Sequence, residues 1–354
     1  MSVATGATEL STLPGLAAAG VSEETKPGHW LEQPPQKRLM VFSGRSNPDL
    51  AAKIAEHLGV ELGDVTIKTF ANGETYCRYE ESIRGADVFI VQTGSVPVDT
   101  HLMELMIMIN AATLASAKRI TAVVPWFAYS RQDKKSAPRE PITAKLVADF
   151  LEAAGADRVL TMDLHAGQIQ GFFKIPVDHM TALPQFAVHF RDKGLAGDDV
   201  VCVSPDLGRA KLAGKFGQLL ESDVAFLNKT RPAHDVAQVT EVIGHVKGRV
   251  AIMCDDMIMT GGTLIAGAEA LKEAGATEVY ACATHGLFSG DAFEKIAASE
   301  LKEVTVTDTV PIDPIRQPAN VRVLSVSGIL AETIHNVFSD ESVSGIFPGG
   351  NQLF

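Results

Sequence analysis

Two adjacent carboxylates, Asp255 and Asp256, stand between an apolar run and a glycine-rich turn in VAIMCDDMIMTGGT, residues 250–263. The run Val250 to Met253 is short and apolar, as expected of a buried parallel strand, and Leu264 to Ala274 places Leu, Ala and Ile at helical spacing. Thr260, Gly261, Gly262 and Thr263 therefore form the turn between strand and helix. Two glycines let the backbone approach a ligand closely, and N–H groups at a helix start, at the positive end of its dipole, suit a phosphate dianion. The aspartates would repel that phosphate. Their partners are hydroxyl groups or a metal ion, and a ribose bearing a 5-phosphate would satisfy both halves of the segment. The plainer alternative is an acidic strand end followed by an ordinary turn.

Three further polar segments follow apolar runs: FANGE at 70–74, YSRQDKK at 129–135 and NKTRP at 228–232. Each taken singly also reads as a solvated loop. The second carries the most chemistry, because the Arg131 guanidinium can take phosphate oxygens bidentately. His165 follows the run ending at Leu164; a lone histidine there more often makes a structural hydrogen bond than binds a ligand. Neither GxxxxGK[ST] nor a GxGxxG after a strand occurs, so a bound nucleotide would be held by neither common phosphate loop.

The elements that must position these residues alternate strand-like and helix-like. From Leu39 the order is LMVFSG, PDLAAKIAEHLG, DVTIKTF, ADVFIVQTG, a helix near 100–117, RITAVVPWF, a helix near 142–154, and RVLTMDL. After about residue 183 the rhythm restarts: DVVCVSPD, a helix near 207–220, DVAFLNKT, GRVAIMCDD, a helix near 263–274, EVYACATHG, a helix near 291–299, EVTVTD and VRVLSVS. This is an α/β fold in two similar halves. Ligands in such sheets bind beyond the carboxyl ends of the strands, where the candidate residues gather. Residues 1–37 are small, polar and proline-punctuated and read as a mobile extension; the halves are expected at 38–182 and 183–347, with a tail at 348–354.

Composition excludes several classes. A net charge of −12, from 31 basic against 43 acidic side chains, argues against nucleic acid as the main partner, so any anion site must be built locally. Cys77, Cys202, Cys254 and Cys282 are scattered without zinc-site spacing, which fits a reducing cytoplasm. No apolar run approaches the about 20 residues of a membrane span, and the N-terminus lacks the pattern of a signal peptide.

Together with ADVFIVQTG, HLMELMIMINA, RITAVVPWFAYSRQDKK, PITAKLVADFL, DRVLTMDLHAGQIQGFF, VSPDLG, ATHGLFSG and VSGILAETI, these segments resemble ribose-phosphate diphosphokinase, also called phosphoribosyl pyrophosphate synthetase, from about Leu39 to Phe347. The resemblance implies two phosphoribosyltransferase-like domains, each a mainly parallel sheet flanked by helices. It implies transfer of the β,γ-diphosphoryl group of Mg-ATP to the anomeric hydroxyl of ribose 5-phosphate. By it, Asp255 and Asp256 contact the ribose hydroxyls, and Met259, Thr260, Gly261, Gly262 and Thr263 wrap the 5-phosphate. Phe70, Asn72, Gly73 and Glu74 match the adenine-side loop, delivered from a neighbouring subunit, so a homo-oligomer (dimer or hexamer) is implied. Arg131, Gln132 and Asp133 match the ATP-contacting run; His165 and Asp206 match the magnesium-binding pair. Lys229 and Arg231 match the catalytic cations of a mobile loop.

The chain departs from the family pattern at Met259, where an acid is common before TGGT, at Asn72, where aspartate is common, and at Arg45 and Ser46. These departures keep a second reading open, a catalytically weak regulatory homologue that associates with active subunits. A purine or pyrimidine phosphoribosyltransferase would share the aspartate pair and the TGG turn but needs neither NKTRP nor RQDKK.

Overall fold

In the computed structural model, residues 37–230 and 239–346 are described, so the expected extension, apart from Lys37, and the tail at 348–354 lie outside the described residues. From Arg38 onward the chain forms one compact unit. Its first sheet holds β1 (Leu39–Ser43), β4 (Asp87–Val91), β5 (Arg119–Val124), β6 (Arg158–Met162) and β7 (Val177–Met180), side by side in that order and all parallel. Every residue of β4 is buried, as a parallel strand covered on both faces requires. A separate antiparallel hairpin, β2 (Val65–Thr69) and β3 (Thr75–Tyr79), lies on the helix α2 (Val98–Leu114).

The second sheet runs in the order β10 (Val239–Ile243), β9 (Asp223–Thr230), β8 (Val200–Ser204), β11 (Val250–Ile258), β12 (Glu278–Gly286), β13 (Glu303–Thr307), β14 (Val321–Leu324). Only the β9–β10 pair is antiparallel; the other neighbours run parallel. The α/β reading with two mainly parallel sheets is thus borne out. Sequence periodicity passed over β3, β7 and β10, and over the helices α4 (Leu183–Asp192) and α8 (Ser327–Ser339).

Helices separate the sheets into layers. One core lies between them: α1 (Pro48–Leu58), α4, α5 (Ala210–Leu220) and α8 give Leu50, Ile54, Phe186, Phe190, Phe216, Leu330 and Ile334, which meet Val41, Phe89 and Leu160 of the first sheet and Cys202, Ile252 and Cys254 of the second. On the far side of the first sheet, α2 and α3 (Thr143–Ala154) close a second core; on the far side of the second sheet, α6 (Gly262–Glu273) and α7 (Ala292–Ala297) close a third. Phe190 is fully buried in the shared core, and truncating such a side chain costs about 3–5 kcal/mol. Helix α1 is framed by local chemistry: Asn47 accepts from the Leu50 amide at 3.3 Å, Pro48 opens the first turn, and Gly59 ends the helix in the left-handed region at φ 67°. Helix α8 then packs against α1, so a helix from near the end of the described chain completes the first one's surroundings.

Candidate active site

The carboxyl ends of β5, β6, β8 and β11 converge on one cleft. Its main part, about 770 Å³, is lined by Arg131, Asp133 and Lys134 from beyond β5, His165 from beyond β6, Asp206, Arg209 and Lys211 from beyond β8, and Asp255 and Asp256. A smaller recess of about 330 Å³ lies beside Met259, Thr260, Gly261, Gly262 and Thr263. The two share Arg131, His165, Asp206, Arg209, Asp255 and Asp256 as a common wall.

The recess is shaped by the start of α6. Gly261 stands at φ 74°, a left-handed conformation that glycine adopts without the penalty of a Cβ, and no side chain caps the helix. The first N–H groups of an α-helix lack intrahelical acceptors, so this uncapped end offers donors and positive potential to an anion. The aspartates are placed differently from expectation. They sit inside β11, which continues to Ile258, rather than beyond its end, because Asp255 and Met257 still pair with Ala283 and His285 of β12.

Asp256 is buried and carries the denser set of contacts. The Arg209 Nη2 donates to its Oδ1 at 2.8 Å, and its Oδ2 lies 2.8 Å from His165 Nδ1. Burial pushes the Asp256 carboxyl up, but the His165 hydrogen bond and the Arg209 guanidinium outweigh it and hold the group below the usual carboxylate range. Burial, then the charge of Asp256, push Asp255 the opposite way, well above that range. Arg209 Nε stands 3.6 Å from Asp255 Oδ1, and Nη2 also lies 2.6 Å from His165 Nδ1. A single ring nitrogen cannot accept from the guanidinium and donate to Asp256 at once; the two contacts call for different tautomers. Arg209 also donates its backbone N–H to Asp206 Oδ1 at 3.0 Å. Sequence reading missed Arg209, which no motif marks.

A buried polar network fixes the end of β6. Asp163 Oδ2 accepts from the Ala182 amide at 2.8 Å and from Thr284 Oγ1 at 2.6 Å. His285 Nε2 lies 3.2 Å from the carbonyls of both Met162 and Asp163, and its Nδ1 lies 3.0 Å from Thr309 Oγ1. Burial lowers the His285 pKa, so the neutral ring donates from Nε2 and accepts at Nδ1. The Leu164 amide donates to His179 Nε2 at 2.8 Å, and burial pushes His179 down to about 4. Both sheets thereby grip the backbone that carries His165.

The remaining expected residues divide. Arg131 reaches across the cleft, its Nη1 2.6 Å from Met259 Sδ. Asp133 lines the cleft, but its Oδ2 accepts from Gln168 Nε2 at 2.7 Å; Gln132 lies outside the lining and accepts from Thr143 Oγ1 at 2.5 Å, at the start of α3. Phe70, Asn72, Gly73 and Glu74 form the β2–β3 turn, where Gly73 donates to the Phe70 carbonyl at 2.8 Å and the Glu74 amide to Asn72 Oδ1 at 3.2 Å. None of the four lines either cavity, and Phe70 is 53% exposed. Lys229 is the penultimate residue of strand β9, paired with Thr240, rather than part of a loop; Arg231 lies outside the described residues. Arg45 and Ser46 serve the scaffold: Arg45 pairs with the fully buried Glu104 at 2.6 Å, and Ser46 Oγ accepts from the Thr93 amide at 2.8 Å.

Among the described residues no group of three or more His, Cys, Asp or Glu is arranged to hold a metal ion. His165 and Asp206 supply two donors on the shared wall. Asp206 offers a carboxylate of the kind magnesium takes, one or two together with several waters and substrate phosphates, and His165 adds a nitrogen donor beside it. No helix among the described residues is long and apolar enough to cross a membrane.

Residues 39–155 match the model of the N-terminal domain of ribose phosphate pyrophosphokinase, and residues 223–348 that of the phosphoribosyl synthetase-associated domain. The chain is 52% identical over 309 residues to the ribose-phosphate pyrophosphokinase of Caldanaerobacter subterraneus subsp. tengcongensis, covering 87% of this chain and 98% of that one. It is 48% identical over 309 residues to the enzyme of that name from Fusobacterium nucleatum, with the same coverage. The solved phosphoribosylpyrophosphate synthetase of Mycobacterium smegmatis superposes with a TM-score of 0.80 at 45% identity, over 86% of this chain and all of that one. From the two halves, their shared cleft and this near full-length similarity, the chain belongs to the ribose-phosphate pyrophosphokinase family.

Proposed function

We infer that the chain transfers the diphosphoryl group of ATP to the anomeric hydroxyl of ribose 5-phosphate, giving 5-phosphoribosyl 1-pyrophosphate and AMP, for nucleotide biosynthesis. The observation that carries this reading is the pair of adjoining cavities with one common wall: a recess at a helix start beside a larger cleft bearing Arg131, Lys134, Arg209 and Lys211. The recess takes the 5-phosphate on the α6 N-terminus, and Asp255 and Asp256 accept from the ribose hydroxyls. The larger cleft takes the polyphosphate. Such a placement brings the anomeric oxygen toward the β-phosphorus. As that O–P bond forms, the hydroxyl proton passes to solvent, and the bond from the β-phosphorus to the bridging oxygen of the α-phosphate breaks, that oxygen keeping the electron pair as AMP leaves.

Negative charge gathers on the non-bridging oxygens during this step, so catalysis is chiefly positioning and cation stabilisation. His165 and Asp206 are assigned to a magnesium ion, which when bound supplies charge neutralisation at the phosphate oxygens. Lys229 and Arg231 are assigned the same task from the β9 end. Arg131 holds polyphosphate oxygens, while Gln132 and Asp133 shape its run through their contacts to α3 and Gln168. Phe70, Asn72, Gly73 and Glu74 are assigned to the adenine of a neighbouring subunit's site, since their exposed turn reaches neither cavity of its own chain; a homo-oligomer, dimer or hexamer, follows. The two domains are assigned to residues 38–182 and 183–347. Cytoplasm is the assigned compartment, where the free cysteines stay reduced.

The test is product formation from Mg-ATP and ribose 5-phosphate, followed by phosphorus NMR so that hydrolysis is not counted as transfer. Equal amounts of AMP and diphosphorylated ribose are expected. Neither product, with ribose 5-phosphate binding retained, would overturn the assignment. It would favour the regulatory homologue, for which Met259, opposite Arg131 where an acid would form an ion pair, is the motivating observation.

A further inference from the structure

Through its guanidinium Arg209 contacts Asp256, Asp255 and His165 together, and through its backbone amide it contacts Asp206. Its side chain is 15% exposed, so these contacts are made in a partly desolvated setting where an opposite charge is strongly held. The groups it touches are those that the reading above gives to the ribose hydroxyls and to the metal. We propose that Arg209 is an internal counter-ion that competes with the divalent cation for this wall and must be displaced when a metal–polyphosphate enters. The proposal rests on the assignment of His165 and Asp206 to the metal.

Three features support it. The guanidinium pairs with Asp256 and lies 2.6 Å from His165 Nδ1, and a divalent cation held by His165 and Asp206 would stand close beside it, where two positive centres repel each other. The Nη2 contact uses the His165 Nδ1 lone pair, whereas Asp256 Oδ2, 2.8 Å from the same nitrogen, would accept a hydrogen bond from Nδ1–H. Displacing Arg209 leaves Nδ1–H to Asp256 and frees Nε2 as a ligand, the usual carboxylate–histidine arrangement around a metal. Finally, Arg209 stands at the opening of α5 and lines both cavities, so a rotated guanidinium can meet phosphate oxygens in the larger cleft without moving the backbone. The device would keep the acidic wall neutral between turnovers and couple metal entry to phosphate capture.

Manganese, a paramagnetic substitute for magnesium, tests this on the full-length, substrate-free protein by counting free aqueous Mn²⁺ with electron paramagnetic resonance. Arg209→Gln is expected to bind Mn²⁺ at least about tenfold tighter than wild type, since a unit positive charge at contact distance is removed. The variant should also melt lower without metal and recover with it, which loss of a merely structural arginine would not produce. Adding Asp206→Asn or His165→Ala should abolish the gain. An unchanged or weaker Mn²⁺ affinity in Arg209→Gln overturns the proposal alone, whereas a gain that survives both added substitutions removes the metal assignment itself. Arg209→Lys guards against a misfolded glutamine variant: its ammonium cannot span three groups, so an intermediate affinity is expected, and one at or below wild type overturns the proposal.

Discussion

Replacing Gly261 by alanine isolates what the backbone at the head of α6 contributes to sugar-phosphate binding. A Cβ at this position would meet nothing closer than 3.6 Å, at Ile296 Cγ1, so space is not the obstacle. The obstacle is φ 74°, in the left-handed region, where an L-residue is penalised by about 1–2 kcal/mol. If the protein keeps the native turn, the penalty appears as a lower melting temperature; if the turn relaxes, the first N–H groups of α6 rotate away from the recess and the loss appears in affinity. Expressed wholly in binding, it raises the ribose 5-phosphate dissociation constant by roughly 5- to 30-fold. Gly262 is the internal control, since its φ is not positive and its added Cβ meets only Thr260 Oγ1, at 3.9 Å. Gly262→Ala should therefore leave the melting temperature unchanged or raise it, and Gly261→Asn should fall between glycine and alanine, because asparagine tolerates the left-handed region. Calorimetric titration with ribose 5-phosphate and thermal melting read the two routes separately. Gly261→Ala with both affinity and melting temperature at wild-type values would refute the reasoning.

Other expectations follow from the assigned roles and from the geometry of the described residues. Lys229→Ala or Arg231→Ala should lower kcat by orders of magnitude with little change in ribose 5-phosphate affinity, measured by steady-state kinetics; an unchanged rate removes them from the mechanism. Met259→Asp should pair with Arg131 and raise ribose 5-phosphate affinity severalfold, and an unchanged affinity would show that the sulfur suffices. Stability should fall on acidification from about pH 6.5 to pH 4: the folded His179 pKa, about 4, lies below its unfolded value of about 6.5, so the unfolded chain takes up the proton first. The full shift is worth on the order of 3 kcal/mol, complete above the unfolded pKa and lost as pH falls through the folded one. His179→Gln should flatten that part of a melting-temperature profile, and a profile as steep as wild type would refute it.

The sequence made the site's local parts legible and its joints illegible. Asp255, Asp256 and the TGGT turn are contiguous, so one apolar run and two glycines were enough to place them, although the pairing that carries β11 through to Ile258 is a property of β12 and left no local trace. Arg209 could not be read, because its meaning comes from bringing together the ends of β6 and β8 with the interior of β11, which are distant in sequence. The same holds for Asp163, Thr284 and His285, whose hydrogen bonds join the two sheets. The turn at Phe70 was identified as a loop, yet its distance from both cavities became visible only once β2 and β3 had paired and been set upon α2.

The packing of α8 against α1 bears on how the chain folds during synthesis. Leu330 and Ile334 share a core with Leu50 and Ile54, partners from opposite ends of the described chain. As residues emerge in order from a ribosome, the first half is exposed well before α8 exists, and its interior face must wait for a segment that arrives last. Contacts so far apart in sequence are slow to close and leave apolar surface uncovered meanwhile. A stop codon just before Ser327 would therefore remove a piece of the first half's interior rather than trim a peripheral helix, and a ribosome stalled there would hold a nascent chain in need of a chaperone.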